Sequence, residues 1–217
     1  MNNFVVLSDF DGTISEDLSN IIYSKFASVG LHYADLWSRE LISTPEEITM
    51  TFKTINASSE EMAQAICQAN IDPDFPEFVR LCRDRNFDVA IVSDGLEWAI
   101  RTLLDHNGVK NIDIYANQIH FLENGYEFSF PWQDERCPHS GVCKPIIIEK
   151  YQNEGKRVVY IGDGKSDREA IHEADFIYAK DHLMEYCNKE NVPAIGYQNF
   201  KNLVAAMKLG EFPLFKS

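Results

Sequence analysis

The chain has 217 residues, 45% of them hydrophobic and 25% charged, with 11 Gly and 8 Pro; this composition excludes disordered, collagen-like and low-complexity classes. The length suits one large domain or a core carrying a smaller insertion, and no internal repeat points to a solenoid. Lys plus Arg number 20 against 34 Asp plus Glu, a net charge of −14 that disfavours nucleic acid and anionic membrane surfaces as partners.

Met1-Asn2-Asn3 carries neither the basic residues nor the cleavage site of a signal peptide, and no segment reaches transmembrane length, so a cytoplasmic location is expected. Cys67, Cys82, Cys137, Cys143 and Cys187 are odd in number and scattered, and they read as reduced thiols. Phe4-Val5-Val6-Leu7 is an apolar run that ends in Ser8-Asp9, the pattern of a buried parallel strand with polar residues at its carboxyl end.

From Ile14 to about Arg85 only helical signals appear. Leu18, Ile21, Ile22 and Val29 share one helical face. Thr44-Pro45-Glu46-Glu47 reads as a capping box with proline at the first helical position, opening a helix with Ile48, Phe52 and Ile55 on one side, and Ser58 to Glu61 repeats the box. After Asp72-Pro73, the residues Phe75, Phe78, Val79 and Cys82 mark a core helix returning to the sheet.

Strand signals resume at Phe87 to Val92, which ends in Ser93-Asp94-Gly95, with a helix following through Leu96, Ile100, Leu103 and Leu104. Asp94 reads as the cap of that helix or as part of an anion-binding turn. Ile112 to Ala116, Val158 to Ile161 before Gly162-Asp163-Gly164, Phe176 to Ala179 and Ala194 to Tyr197 are further strands. Glu123-Asn124-Gly125 signals a hairpin, on which Phe128, Phe130 and Trp132 pack. Phe200, Leu203, Val204 and Met207 form a closing helix. Strands alternating with helices imply an α/β, doubly wound parallel sheet, whose ligands bind at the carboxyl ends of its strands. The expected division is a Rossmann-like core of residues 1–14 and 86–217 with a β-hairpin near 115–132, and a small inserted α-helical cap over 15–85.

Four chemistry-bearing elements occur in order: Asp9-Phe10-Asp11-Gly12-Thr13, Ser93, Lys144 in Cys143-Lys144-Pro145, and Asp163 with Asp167. Two carboxylates at i and i+2 point to one site when the chain is leaving a sheet. In this order and at predicted strand ends, these residues resemble the haloacid dehalogenase superfamily over essentially the whole chain. The resemblance implies a phosphatase with Asp9 as nucleophile, forming an aspartyl phosphate, and Asp11 as general acid and then base. It implies Mg²⁺ held by Asp9, the Asp11 carbonyl and Asp163, with Asp167 as a further or water-mediated ligand. Ser93, Asp94 and Gly95 would bind the phosphate, and Lys144 would balance charge on it. The carbon–halogen-splitting branch has no need of an acid at Asp11, so phosphoryl transfer is favoured. A phosphonate-cleaving relative would need a Schiff-base lysine, for which Lys25 and Lys53 are available without a motif.

Other readings fall away. Gly164-Lys165-Ser166 would need Gly at the position of Val159 to make a nucleotide-binding P-loop. Cys137, His139 and Cys143 lack a fourth zinc ligand and read as a loop near Lys144. A catalytically idle module that binds a phosphorylated metabolite is the alternative from another class, and the full set of charged groups argues against it.

Within the superfamily, two groups compete. Phosphoserine phosphatases carry a glutamate nine residues beyond the nucleophile for the substrate ammonium; Leu18 stands there, and Glu16 or Asp17 would substitute only with a shifted helix. Ser93-Asp94-Gly95-Leu96, Phe130-Pro131-Trp132, Cys143-Lys144-Pro145, Asp181-His182-Leu183 and Tyr197-Gln198-Asn199-Phe200 are similar to the methionine-salvage (MtnX-like) group, which acts on 2-hydroxy-3-keto-5-methylthiopentenyl-1-phosphate. The expected partner is a small phosphorylated metabolite. Trp37, Arg39, Phe52 and Lys53 read as pocket residues of the cap or as its packing and surface.

Overall fold

Val5, Val6 and Leu7 are fully buried in β1 (Phe4–Ser8), because this strand is covered on both faces. The computed structural model describes residues 3–123 and 125–213; Met1, Asn2, Asn124 and residues 214–217 lie outside the described residues. Alternation along β1 sends Phe4 and Val6 into one core and Val5 and Leu7 into another on the opposite face.

The remaining strands are β2 (Asp88–Leu96), β3 (Asp113–Leu122), β4 (Gly125–Ser129), β5 (Arg157–Gly162), β6 (Phe176–Ala179) and β7 (Ile195–Gly196). Their order in the sheet is β4-β3-β2-β1-β5-β6-β7. All pairs are parallel except the β3–β4 hairpin, in which Leu122 faces Gly125 as the hairpin signal predicts. The expected α/β architecture is therefore the observed one. Since β1 lies between β2 and β5, the chain segments leaving these three strands emerge side by side.

Between β1 and β2 run α1 (Leu18–Phe26), α2 (Gly30–Ser38), α3 (Thr44–Phe52), α4 (Ser59–Ile66) and α5 (Phe75–Asp84). The inserted chain enters and leaves through a clamped stem: Ser15 bridges to Ile71, the Asp72 N–H donates to the Ile14 carbonyl at 2.7 Å, and the Asn70 N–H donates to the Glu16 carboxylate at 2.9 Å. Helix α5 lies beyond this stem, its Phe75 and Phe78 rings 5.0 and 5.2 Å from Phe200 of the closing helix (Phe200–Leu209). The expected segment 15–85 thus divides into helices preceding the stem and one that packs against the sheet. The hairpin meets the insertion at Phe52, whose ring lies 5.4 Å from Tyr126 and 5.2 Å from Phe128.

Several local expectations shift. Ser43, not Thr44, caps α3: its hydroxyl accepts the Glu46 N–H while the Glu46 carboxylate accepts the Ser43 N–H, which moves Pro45 to the second helical position. Val29 is exposed, because α1 ends before it and the face does not continue. Strand β2 continues through Leu96, so α6 (Glu97–His106) begins after it. Cys137 and Cys143 form a disulfide with Cα atoms 5.3 Å apart, correcting the reduced-thiol expectation for these two; their short intervening loop holds the sulfurs in bonding range. Cys67, Cys82 and Cys187 are free. Among the described residues, no helix is long and apolar enough to cross a membrane.

Candidate active site

The acidic motif begins where β1 ends. Asp9 is 5% exposed, and its N–H donates to the Ile161 carbonyl at 2.8 Å, tying it to the neighbouring strand. Gly12 then turns the chain at φ +79°, a backbone conformation suited to glycine; a Cβ here would sit 2.4 Å from Asp163 Oδ2. Thr13 Oγ1 donates to Asp163 Oδ1 at 2.6 Å, joining the β1 and β5 ends.

Lys144 opens α7 (Lys144–Asn153) and is only 1% exposed. Its ammonium donates to Asp9 Oδ1 at 2.7 Å and to Asp167 Oδ1 at 2.5 Å, with Ser166 Oγ at 3.3 Å. Burial disfavours its charge, but Asp167 and Asp9 outweigh that cost and hold its pKa well above the ordinary lysine value. Burial also raises Asp9 well above the usual carboxylate range; Lys144 opposes, while Asp167 and Asp163 add to the rise.

Asp167 is saturated with donors. Its Oδ1 accepts from Lys144 and Tyr160, and its Oδ2 accepts the N–H groups of Asp163 at 3.0 Å and Gly164 at 2.9 Å. Oxygens of Asp9, Asp163 and Asp167 lie within 4.8 Å of one another. Three hard carboxylate donors this close, two of them raised by burial, match the preferences of a hard divalent cation.

Asp11 lies beside this cluster. Its Oδ1 accepts the Leu18 N–H at 2.8 Å, and burial, with Asp17 adding, pushes its pKa up to about 7. Opposite stands the end of β2, where the Gly95 N–H donates to Ser93 Oγ at 2.9 Å. A Cβ at Gly95 would lie 2.8 Å from Asp11 Oδ2 and 3.1 Å from Ser93 Oγ, so the backbone passes here only because the residue is glycine.

Asp94 does not cap α6. Its Oδ1 accepts the Val142 N–H at 2.7 Å and its Oδ2 accepts the Thr44 hydroxyl at 3.0 Å, while its carbonyl accepts Asn117 Nδ2 at 2.6 Å. Because β2 runs on through Leu96, Asp94 lies inside the strand, two residues before the cap position of α6, and its side chain meets α3 and the disulfide loop. Asp9, Asp11, Ser93, Asp94, Gly95 and Asp163 line one cavity of about 720 Å³, within the range of small-molecule sites. Lys144 sits behind it.

Of the expected pocket residues, Trp37 lines the cavity, with its indole N–H donating to Thr44 Oγ1 at 2.9 Å. Phe52 is buried packing; Arg39, Lys53 and Lys25 are exposed and do not line this cavity. Asp17 lines it while capping α1, and the Glu16 carboxylate is bonded to Asn70 instead. Cys137 and Cys143 are joined to each other, and the acidic cluster is the only group of possible metal ligands among the described residues. Tyr160 and Tyr23 carry no mark of function in the sequence, and Thr44 and Glu47 read there only as parts of a capping box. Tyr160 is hidden in an apolar strand, whereas Thr44, Glu47 and Thr51 share a buried face of α3 with Ile48, a polar pattern at helical spacing that was open to reading.

A family model described as "Putative Phosphatase" matches residues 4–191. The chain is 29% identical over 211 residues to the 2-hydroxy-3-keto-5-methylthiopentenyl-1-phosphate phosphatase of Bacillus mycoides, covering 94% of this chain and 95% of that one. It is 28% identical over 213 residues to Pdp3-interacting factor 1 of Schizosaccharomyces pombe, covering 91% and 92%. Among solved structures, a phospho-aspartyl intermediate analogue of phosphoserine phosphatase superposes with a TM-score of 0.71 at 18% identity, covering 94% of this chain and 99% of that one.

Proposed function

The chain belongs to the Putative Phosphatase family, phosphomonoesterases of the haloacid dehalogenase type, and from that premise we propose that it hydrolyses a small phosphorylated metabolite through an aspartyl phosphate on Asp9. The observation that carries this reading is the gathering of Asp9, Asp11, Ser93 and Asp163 around one cavity, with the buried Lys144 ammonium behind Asp9.

The residues divide the work. The Asp9 carboxylate attacks phosphorus as the bond to the leaving oxygen breaks. Asp11, with a pKa near 7, delivers the proton that makes the leaving group neutral, and then takes one from the water that cleaves the acyl phosphate. Ser93 and the backbone around Gly95 hold the non-bridging oxygens. Lys144 keeps Asp9 oriented and offsets negative charge. Asp9, Asp163 and the Asp11 carbonyl would hold Mg²⁺, which when bound supplies positive charge to the phosphoryl oxygens and lowers the Asp9 pKa. Because its oxygens already have four donors, Asp167 acts by fixing Lys144 and by contact through water.

The inserted helices α1–α4, from the stem at 15–16 to its return at 70–71, act as a cap that covers the leaving group and excludes water. Leu31, Ala34, Trp37 and Ile48 give the cavity an apolar wall. That wall, with Leu18 in place of an ammonium-binding glutamate, favours the substrate named for the Bacillus relatives over phosphoserine.

Phosphate release from a panel of phosphorylated metabolites, including phosphoserine and the methionine-salvage intermediate, tests the reading with Mg²⁺ and with chelator. Chelator-sensitive turnover of the intermediate above all others is expected. Absence of release from every ester would overturn the enzyme and leave a binding module.

A further inference from the structure

Helix α3 turns a polar face inward. Thr44, Glu47, Ile48 and Thr51, spaced at i, i+3, i+4 and i+7, are all buried, although a packing helix normally buries an apolar stripe. Thr44 has protein partners in Trp37 and Asp94. Glu47 is different: the residue is 7% exposed and its carboxylate receives one hydrogen bond, from the Tyr23 hydroxyl to Oε2 at 3.0 Å.

Oε1 of Glu47 has no partner among the described residues, and no lysine or arginine pairs with the group. The charged neighbours that act on it are Asp17 and Asp94, both acidic, and burial pushes its pKa up to about 7. A buried carboxyl without a cation is costly, and a helix that needed only packing would carry an apolar residue here. Glu47 and Tyr23 line the same cavity as Asp9 and Ser93. Along α3, Glu47 stands three residues beyond Thr44, roughly 4.5 Å at 1.5 Å per residue, and Thr44 is bonded to Asp94 beside Ser93. The carboxyl therefore shares the cavity with the Ser93–Gly95 segment and feels the charge of Asp94, on the side where the leaving group of a bound ester would lie.

We infer that Glu47, positioned by Tyr23, is the specificity-determining residue for the leaving group and accepts a hydrogen bond from a hydroxyl or enol O–H that the substrate carries near its ester, while Trp37 and Ile48 receive its apolar remainder. The inference rests on the phosphatase reading above and names the substrate class of that site: a neutral, hydroxyl-bearing phosphomonoester. An ammonium group is the other partner a carboxylate could take. It is disfavoured because Leu31, Ala34, Trp37 and Ile48 make much of the cavity wall apolar.

The test compares kcat/KM for a straight-chain polyol 1-phosphate, the alkyl 1-phosphate of equal length and an aminoalkyl phosphate, in the full chain and in Glu47→Gln, Glu47→Leu and Tyr23→Phe. A site built around a hydrogen bond rejects the analogue lacking it. The wild-type chain should prefer the polyol over the alkyl ester at least tenfold. Glu47→Leu should collapse that ratio toward one, chiefly through KM for the polyol ester, with a smaller fall for Tyr23→Phe. A ratio within one preparation cancels the fraction of folded enzyme, and the near-isosteric Glu47→Gln guards against loss of the fold. If the wild type hydrolyses alkyl and polyol esters alike, or if Glu47→Leu slows both equally, the inference fails while the phosphatase reading stands. Preference for the aminoalkyl ester, lost in Glu47→Gln, would replace the hydroxyl by a cation. Release from none of the three or from the metabolite panel overturns the phosphatase reading itself.

Discussion

Replacing Lys144 by Met tests the electrostatics of the site most directly. The flexible stem is kept and the ammonium removed, leaving Asp9 and Asp167 buried with oxygens within 4.8 Å of each other and of Asp163. Two unit charges at that separation repel by about 3.5 kcal/mol at an effective dielectric of about 20, and stripping one partner from a buried ion pair costs about 3–5 kcal/mol. The two routes agree, so the variant should lose about 3–5 kcal/mol at pH 8 in chelator, measured by urea unfolding with tryptophan fluorescence.

The pH dependence gives the sign. Burial raises the native Asp9 pKa above its unfolded value, and loss of Lys144 raises it further. The native variant then binds protons more tightly than the unfolded chain, so its deficit grows as pH rises and shrinks toward pH 5. Added Mg²⁺ should recover part of the loss by binding the same carboxylates in the native state only. A deficit below about 1 kcal/mol at pH 8, or one that does not shrink at pH 5, refutes the charge balance assigned to Lys144.

Asp9→Asn should abolish turnover and leave no acid-stable, hydroxylamine-sensitive phosphoenzyme; steady release of phosphate by this variant sinks the covalent route. Asp11→Asn should slow turnover by roughly 10²–10⁴-fold, less for an activated aryl phosphate whose leaving group needs no proton, so an equal loss on all esters contradicts its role as acid. Glu47→Gln should gain stability relative to wild type as pH rises from about 4.5 to 7, because the native carboxyl, raised from 4.5 to about 7, favours folding at low pH and loses that advantage as it ionises. The shift of 2.5 pKa units sets an upper limit of about 3.4 kcal/mol on the swing, and thermal melts at pH 5 and pH 8 showing no swing would mean the carboxyl titrates normally.

What could be read in the sequence follows from what periodicity encodes. Strands β1, β2 and β5 were visible because strands buried on both faces are continuously apolar, and their polar, Gly-containing ends stand out against that run. The sheet order that sets Asp9, Ser93 and Asp163 side by side is not written in any one strand; it follows once β1 is central. Lys144 was marked by its place in the motif order, but its contact with both Asp9 and Asp167 depends on how α7 packs. Of the two roles open to Asp94, the helix cap fails because β2 runs on through Leu96, and that extra extended length leaves no hydropathy signal. The helix face bearing Ile48 and Phe52 was seen, yet Thr44, Glu47 and Thr51 share that inner side, and polar residues are assigned outward by default. The disulfide escaped for another reason: a six-residue spacing is silent about whether the loop between two cysteines folds back on itself.

One short loop links the inserted helices to the proposed site. The segment closed by Cys137 and Cys143 offers the His139 carbonyl to the Thr44 N–H at 2.8 Å and the Val142 N–H to Asp94, and it continues without a break into Lys144. Thr44 in turn donates its hydroxyl to Asp94. The N-terminus of α3, the end of β2 and the start of α7 therefore meet at Thr44, Asp94 and this loop. At about 0.5–1.5 kcal/mol net for each hydrogen bond, the two bonds that Thr44 donates across this junction amount to roughly 1–3 kcal/mol. That is enough to hold α3 in register over the phosphate, and small beside what a bound ester could contribute by bridging Asp9 and Glu47. A helix held so lightly at this end is oriented by the core without being welded to it, and the contacts proposed for its inner face are set relative to Asp9 through this junction and through the packing of Phe52 on the hairpin.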